Sequence, residues 1–176
     1  MASPPRVEIE PIDSRHGDDL LDAIASSLLE LRRWMPWAID WDPEESKRYF
    51  ATRDDNDPGF AIIHDGAAVG GIGIIRRPLM GWGEIGYWLR TDLVGRGIVS
   101  VAVAQSLAWA FGPGGLHRIE LRAGRANAAS NRVAEKLGFT LRGWTRESAR
   151  GEDGYYDCNL WELVEDEWEG KGAPTA

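Results

Sequence analysis

From Ile98 to Phe111 the chain carries no charged side chain, and Gly112-Pro113-Gly114-Gly115 then stops it. The run, IVSVAVAQSLAWAF, reads as a helix. A helix that is apolar on nearly every side has to be packed on nearly every side, so the rest of the fold must wrap around this one. It opens at Gly95-Arg96-Gly97, shortly after a strand-like stretch from Glu84 to Arg90. Strand, glycine loop and buried helix, in that order, leave the helix's unpaired N–H groups and the positive end of its dipole open at the loop. Two glycines let a ligand's phosphates approach those amides closely. The segment predicts a phosphate-bearing ligand, and Glu84 on the preceding strand predicts acid–base chemistry beside it.

The surrounding elements follow from periodicity and punctuation. Val7-Glu8-Ile9-Glu10 alternates apolar and charged residues and reads as a short strand ended by Pro11. From about Asp18 to Arg33, Leu20, Leu21, Ile24, Leu28, Leu29 and Leu31 recur at helical spacing, with Pro36 as the stop. Asp42-Pro43-Glu44-Glu45 supplies an N-cap, a first-turn proline and two carboxylates favoured by the dipole, which predicts a helix to about Arg53 and a loop over 54–59. Phe60–His64, Ala67–Arg76 and Glu84–Arg90 read as an antiparallel meander, its first turn at Asp65-Gly66. Gly70-Gly71-x-Gly73 leaves the second of these strands with a thin face. After the buried helix come a strand, His117–Ala123, a short helix, Asn127–Leu137, and two strands, Phe139–Arg150 and Tyr155–Val164. The order is β-α-α-β-β-β-α-β-α-β-β, an α+β domain with loose ends at 1–5 and 170–176.

Composition narrows the function classes. A chain of 176 residues suits one domain with a sizeable core. The net charge of −8 weighs against non-specific nucleic-acid binding and against an anionic membrane surface. The one cysteine, Cys158, excludes an intrachain disulfide, reads as a small buried filler, and makes a reducing cytoplasm the natural setting. His16, His64 and His117 lack ligand spacing, so no metal is expected. The start of the chain lacks an apolar signal core, and the run from Gly97 to Leu116 is short for a membrane span. Tryptophan is the outlier, with nine copies, of which Trp34, Trp37 and Trp41 fall within eight residues.

A second constellation is Asn127-x-x-Ser130-x-x-Val133-x-Glu135-Lys136-Leu137-Gly138-Phe139. Together with Glu84-Ile85-Gly86-Tyr87-Trp88-Leu89 before the glycine loop and Leu116-His117-Arg118-Ile119-Glu120 between the two, it resembles the GNAT acetyltransferases. Arg33-Trp34-Met35-Pro36-Trp37, Tyr156-Asp157 and Glu167-Trp168 look like segments of the RimJ/RimL-like subgroup. The resemblance spans about residues 6–169, a single GNAT domain within the chain's 1–176.

That resemblance implies a central, mostly antiparallel mixed sheet of about seven strands, flanked by helices and splayed at an acyl-CoA site. It implies an N-acetyltransferase that takes acetyl-CoA as co-substrate and a primary amine as acceptor, by direct attack in a ternary complex. The acceptor would be a protein N-terminus or a small amino compound. The pantetheine would pair with Trp88, Leu89 and Arg90, and Asn127 would contact it. The pyrophosphate would sit on Val94, Gly95, Arg96, Gly97, Ile98, Val99 and Ser100, a loop that keeps the family's central glycine but departs from its pattern at Val94 and Val99. Glu84 would be the base, or else only an exposed strand carboxylate. Ser130 would hydrogen-bond the leaving sulfur, or else only cap a helix, since Ala134 stands where many relatives carry a tyrosine. Trp34, Trp37 and Trp41 would border the acceptor pocket, Trp82 and Trp144 are candidate flanks of it, and Trp88, Trp109 and Trp161 read as core. A succinyl-CoA or other acyl-CoA donor, a non-catalytic CoA-binding regulator, a substrate-sequestering protein and a homodimer all stay open.

Overall fold

The computed structural model describes residues 6–52 and 58–168. The expected loose ends, the end of the helix expected at Arg53 and most of the loop expected over 54–59 lie outside the described residues.

The strands are β1 (Val7–Pro11), β2 (Gly59–His64), β3 (Ala67–Arg77), β4 (Trp82–Leu89), β5 (Arg118–Gly124), β6 (Thr140–Gly151) and β7 (Gly154–Val164). They form one seven-stranded mixed sheet in the order β1-β2-β3-β4-β5-β7-β6, with only β4 and β5 running parallel. The helices are α1 (Gly17–Ala25), α2 (Leu28–Trp34), α3 (Pro43–Ala51), α4 (Ile98–Phe111) and α5 (Ala128–Lys136). This is the α+β architecture, a seven-stranded mixed sheet flanked by helices, that the resemblance implies, with one helix more than the periodicity predicts.

The extra helix arises because the stretch expected as one helix from Asp18 to Arg33 breaks at Ser26-Ser27. The Ser26 hydroxyl donates to the Ala23 carbonyl at 3.1 Å, and the buried Ser27 hydroxyl accepts the Thr91 N–H at 3.0 Å. Serine side chains offer backbone groups an alternative to the helical ladder, and here the alternative ties the helices to the segment that follows β4. The other sequence signals act as expected. Asp42 caps α3 by accepting the Glu44 N–H at 2.8 Å. Asp65 and Gly66, with φ of 51° and 83°, make the tight turn whose twist matches a hairpin.

One sheet face carries α4 and α5 over a core that includes Ile62, Ile72, Ile74, Ile85, Leu107, Ile119 and Leu163. The other carries α1, α2 and α3, with Leu20, Ile24, Leu31, Phe50 and Ala61 between. As the uncharged run requires, most of α4 is buried.

The parallel pair does not stay paired. β4 and β5 run side by side from Trp82–Arg118 to Ile85–Leu121, and then part, although β4 continues to Leu89 and β5 to Gly124. On its other edge β4 stays paired with β3 as far as Leu89. The stretch from Gly86 to Leu89 thus has one edge without a strand partner. Because the Arg90 N–H points to the Val69 carbonyl on the β3 side, alternation turns the peptide groups of Tyr87 and Leu89 toward the opening.

The β3–β4 contact sets a test of this packing. A Cβ at Gly70 would press on the Trp88 carbonyl oxygen and lie 3.0 Å from the Leu89 Cα, whereas one at Gly73 would meet nothing within 4 Å. Gly70→Ala is expected to cost about 1–3 kcal/mol, the usual range for overpacking. Gly73→Ala is expected to leave stability near that of the wild type. Urea midpoints at unchanged m-value measure both.

Candidate active site

The loop from β4 into α4 is built from backbone. Gly95 and Gly97 have φ of 84° and 80°, and an added Cβ at either would meet nothing within 4 Å. Glycine is required there by conformation and not by space. Gly97 is the N-cap of α4 and no side chain caps it. Val101 is bonded back to Gly97 at 3.2 Å, while the N–H groups of Ile98, Val99 and Ser100 carry no partner among the described residues. Val94 is exposed and Val99 packs against the core, so the loop offers amides to an anion rather than side chains. It is braced from within: Arg90 makes two bonds to Asp92, at 2.7 and 2.8 Å, and Arg96 donates to the Asp92 carbonyl.

The far side of the opening is held by α5. Asn127 is its N-cap and accepts the Ser130 N–H at 3.1 Å. Asn131 is buried and uses every part of its amide. Its nitrogen donates to the Gly124 and Asn127 carbonyls at 2.9 and 2.8 Å, and its oxygen accepts from Asn159 and the Trp161 indole at 2.8 and 2.9 Å. One side chain so fastens α5 to both β5 and β7. Ser130 then faces the opening, where its Oγ lies 2.9 Å from the Tyr87 hydroxyl on β4. Burial pushes the Tyr87 phenol up to about 12, against the lowering effect of its hydrogen bond to Ser130.

A cavity of about 630 Å³ lies on the opposite face of β4, under α3 and the segment joining it to α2. Its floor is three cross-strand pairs, Ile75–Glu84, Gly73–Gly86 and Gly71–Trp88. Its walls include Met35, Trp37, Trp41, Tyr49 and Phe50. The Trp88 indole is seated over Gly71, where a Cβ would lie 2.9 Å from Nε1, and meets Trp37 edge-on at 6.0 Å. Trp41 donates to the Ser46 hydroxyl at 2.9 Å. Glu84 is held by Arg122 of β5 through two bonds, Nε to Oε1 at 3.0 Å and Nη2 to Oε2 at 2.7 Å.

Of the residues singled out from sequence, Glu84, Trp88, Trp37 and Trp41 meet in this cavity. Asn127 and Ser130 stand across the opening, and the segment from Val94 to Ser100 follows the end of β4. Trp34 does not join the cavity. It covers Gly124, meets Tyr156 edge-on at 5.5 Å and donates to Glu30 at 3.0 Å. Trp88, expected in the core, lines the cavity instead, while Trp161 is buried and Trp109 packs on Phe60. Trp82 lies between Arg77 and Arg118, Trp144 lies under Arg125, and neither lines the cavity. Cys158 is buried in β7. No described helix is long and apolar enough to cross a membrane, and no three His, Cys, Asp or Glu among the described residues are grouped to hold a metal.

Sequence reasoning missed Tyr87, Arg122, Asn131 and the Gly73–Gly86 pair. Asn131 had a signal, an amide in a helix interior, where such a residue is disfavoured unless its side chain is engaged. Arg122 and the Gly73–Gly86 pair depend on strand register, and Tyr87 on a meeting with α5, neither of which the sequence states.

The family model described as Acetyltransferase (GNAT) domain matches residues 6–140. The Bacillus subtilis (strain 168) protein YdaF, provisionally named a ribosomal N-acetyltransferase, is 25% identical over 175 residues, 94% of each chain. The Escherichia coli (strain K12) ribosomal-protein-serine acetyltransferase is 33% identical over 108 residues, 61% of this chain and 60% of that one. Among solved structures, RimL, a ribosomal L7/L12 alpha-N-protein acetyltransferase in complex with coenzyme A, superposes with a TM-score of 0.82 at 21% identity, over 93% of this chain and 96% of that one. The microcin C7 self-immunity acetyltransferase MccE, in complex with acetyl-CoA and AMP, gives 0.82 at 20% identity, over 90% and 92%. At these identities the likeness is one of fold.

Two expectations follow from the polar bridge. Asn131→Ala strands the buried Trp161 N–H, while the Gly124 carbonyl keeps the Asn127 N–H at 2.9 Å, so the expected cost is about 1–3 kcal/mol for the one group left unsatisfied, read from denaturant midpoints. The second concerns pH. Burial raises the folded Tyr87 phenol to about 12, above the ordinary tyrosine value of about 10. Its contribution is complete below about pH 10 and is lost as pH rises toward 12. Melting temperature is expected to fall across that window, less steeply in Tyr87→Phe, with Tyr156, also raised by burial to about 12, keeping part of the slope.

Proposed function

The chain belongs to the GNAT acetyltransferase family, and from that premise we propose that it transfers an acetyl group from acetyl-CoA to an amine seated on β4. The carrying observation is the opening between β4 and β5. It offers an unpaired strand edge that leads to an uncapped helix N-terminus with two left-handed glycines. An extended amide-bearing arm pairs naturally with such an edge, and a pyrophosphate with such a terminus. The strand residues Trp88, Leu89 and Arg90, flanked by the Tyr87 peptide group, would hold the pantetheine, with Asn127 beside them. The amides from Val94 to Ser100 would hold the phosphates. The coenzyme A and acetyl-CoA named for the RimL and MccE structures support the same donor here. Acetyl-CoA supplies an acyl group activated as a thioester.

In the transfer, a C–N bond forms at the acyl carbon, the C–S bond breaks with its electrons on sulfur, the amine loses a proton and the sulfur gains one. Glu84 is our candidate for the proton acceptor, directly or through one water. Arg122 grips both carboxylate oxygens and so fixes Glu84 at the cavity floor, leaving its outward lone pairs for the amine. Ser130 is our candidate donor of a hydrogen bond to the leaving sulfur. Tyr87 acts through it as a positioning residue: its hydroxyl lies 2.9 Å from Ser130 Oγ and 3.3 Å from the Ser130 carbonyl, and either oxygen accepts the phenol's hydrogen bond while leaving the serine proton to point into the opening. The acceptor is a protein N-terminus, as the names of the ribosomal-protein relatives support, or a small amine. A reducing, cytoplasmic setting fits the single buried thiol.

Release of free thiol from acetyl-CoA, measured over a panel of amines, tests the proposal. Turnover is expected with at least one amine. Glu84→Gln is expected to lower kcat by about 100-fold, within the range typical of general bases, and Ser130→Ala by about ten-fold, each with donor KM little changed. Coenzyme A binding without thiol release on any amine would make the chain a binding protein.

A further inference from the structure

The floor of the cavity has a gap at its centre. Gly73 and Gly86 face each other across β3 and β4, between the Ile75–Glu84 and Gly71–Trp88 pairs. Neither has a left-handed φ, and a Cβ built on either meets nothing within 4 Å. Backbone conformation does not require glycine at these positions, and neither does crowding. What glycine leaves there is depth, at the step between the candidate base and the Trp88 indole. The walls above are aromatic and aliphatic: Met35, Trp37, Trp41, Tyr49 and Phe50. About 630 Å³ is a space on the scale of a whole small ligand, not of a methyl or hydroxymethyl group.

The charge of the lining points the same way. Among the described residues it includes the carboxylates of Asp42, Glu45 and Glu84 and no lysine or arginine. Arg122 neutralises Glu84 from the side, while Asp42 and Glu45 have no ion pair among the described residues. Such a lining attracts an ammonium group and repels a second carboxylate or a phosphate. Indole and phenol faces take flat or cationic groups.

Resting on the reading that this cavity receives the acceptor, we propose that the acceptor is an amine with a bulky apolar or aromatic group next to its nitrogen and no free carboxylate or phosphate. The small first residue of an alanine- or serine-led polypeptide would leave most of the cavity unfilled. The shared chemistry is an aromatic-headed amine, and it has two sources, a free small amine or the first residue of a polypeptide.

The test compares kcat/KM, by thiol release from acetyl-CoA, for phenylalaninamide, tryptophanamide, alaninamide, serinamide, free phenylalanine and a phenylalanine-led hexapeptide with its alanine-led counterpart. The aromatic amides are expected to exceed the small ones by about ten-fold or more, the range a filled apolar pocket supplies. Free phenylalanine is expected to fall below its amide by a similar factor. The hexapeptide pair separates the sources, because a phenylalanine-led peptide that outpaces phenylalaninamide identifies a polypeptide and the reverse identifies a small amine. Gly73→Val, with Gly86→Ala as the milder replacement and melting curves to confirm folding, is expected to bring the aromatic-to-small ratio close to one. Glu45→Lys is expected to narrow the gap between free phenylalanine and its amide. Thiol release that favours alaninamide or serinamide would overturn the inference and leave acetyl transfer standing. No thiol with any acceptor would overturn the transfer itself. Calorimetry then decides the cavity's preference alone: phenylalaninamide binding tighter than alaninamide, and weakened by Gly73→Val, supports it, and equal binding overturns it.

Discussion

β4 and β5 share a ladder only from Trp82–Arg118 to Ile85–Leu121, and the site depends on their parting. They are the one parallel pair in the sheet, so a crossover must join them, and α4 is that crossover. The chain leaves β4 at Leu89 and enters α4 at Ile98, which brings the α4 N-terminus to the end of the opening. It leaves β5 at Gly124 and enters α5 at Ala128, which brings a second helix N-terminus to the opposite side. An opening at the carboxyl ends of parallel strands, with helix starts on both sides, collects oriented amides without needing any particular side chain. Departures such as Val94 and Val99 are tolerable for the same reason.

Two unpaired strand edges would gain hydrogen bonds by closing, so something has to keep them apart. Asn131 fixes α5 to β5 and β7 through three hydrogen bonds, two of them buried, and a fourth holds the helix's own N-cap residue. At the end of β5, Gly124 admits the Trp34 ring, where a Cβ would lie only 2.8 Å from it, and Tyr156 donates to the Trp34 carbonyl at 2.7 Å. Trp34 therefore packs against the end of β5 and against β7, although its neighbours in sequence, Trp37 and Trp41, reach the cavity. Two direct polar bridges span the parting strands: Arg122 of β5 on Glu84 of β4 where the ladder ends, and Tyr87 with Ser130 further along. The two sides are held by groups that are each satisfied from behind, which leaves the amides in front free for a ligand.

Much of this was legible in the chain. The uncharged run, the glycine stop, the Asp42 cap and the Asp65-Gly66 turn each carry a local cause, and each acts as its chemistry dictates. Alternation alone placed Glu84, Gly86 and Trp88 on one face, and all three line the cavity. The helix expected from Asp18 to Arg33 is different, because leucine spacing runs straight through Ser26-Ser27. The serines break it because Ser27 has a partner, Thr91, that is distant in sequence. Tyr87 escaped notice because alternation puts it on the face opposite Glu84, and its value lies in meeting Ser130 on another element. Arg122 became the partner of Glu84 only through the register of two parallel strands.

The amino-acid sequence by itself determined the elements, the buried crossover helix, the glycine loop and the face on which the carboxylate stands. These follow from periodicity, capping and backbone freedom, which act over a few residues. The tertiary structure alone decided where β4 and β5 separate, that Arg122 grips Glu84, that Asn131 anchors α5, and that Trp37 and Trp41 face the cavity while Trp34 packs against the end of β5. Those depend on which residues meet across strands and helices far apart in the chain. No local preference encodes such meetings, because their free energy appears only when the whole sheet is assembled.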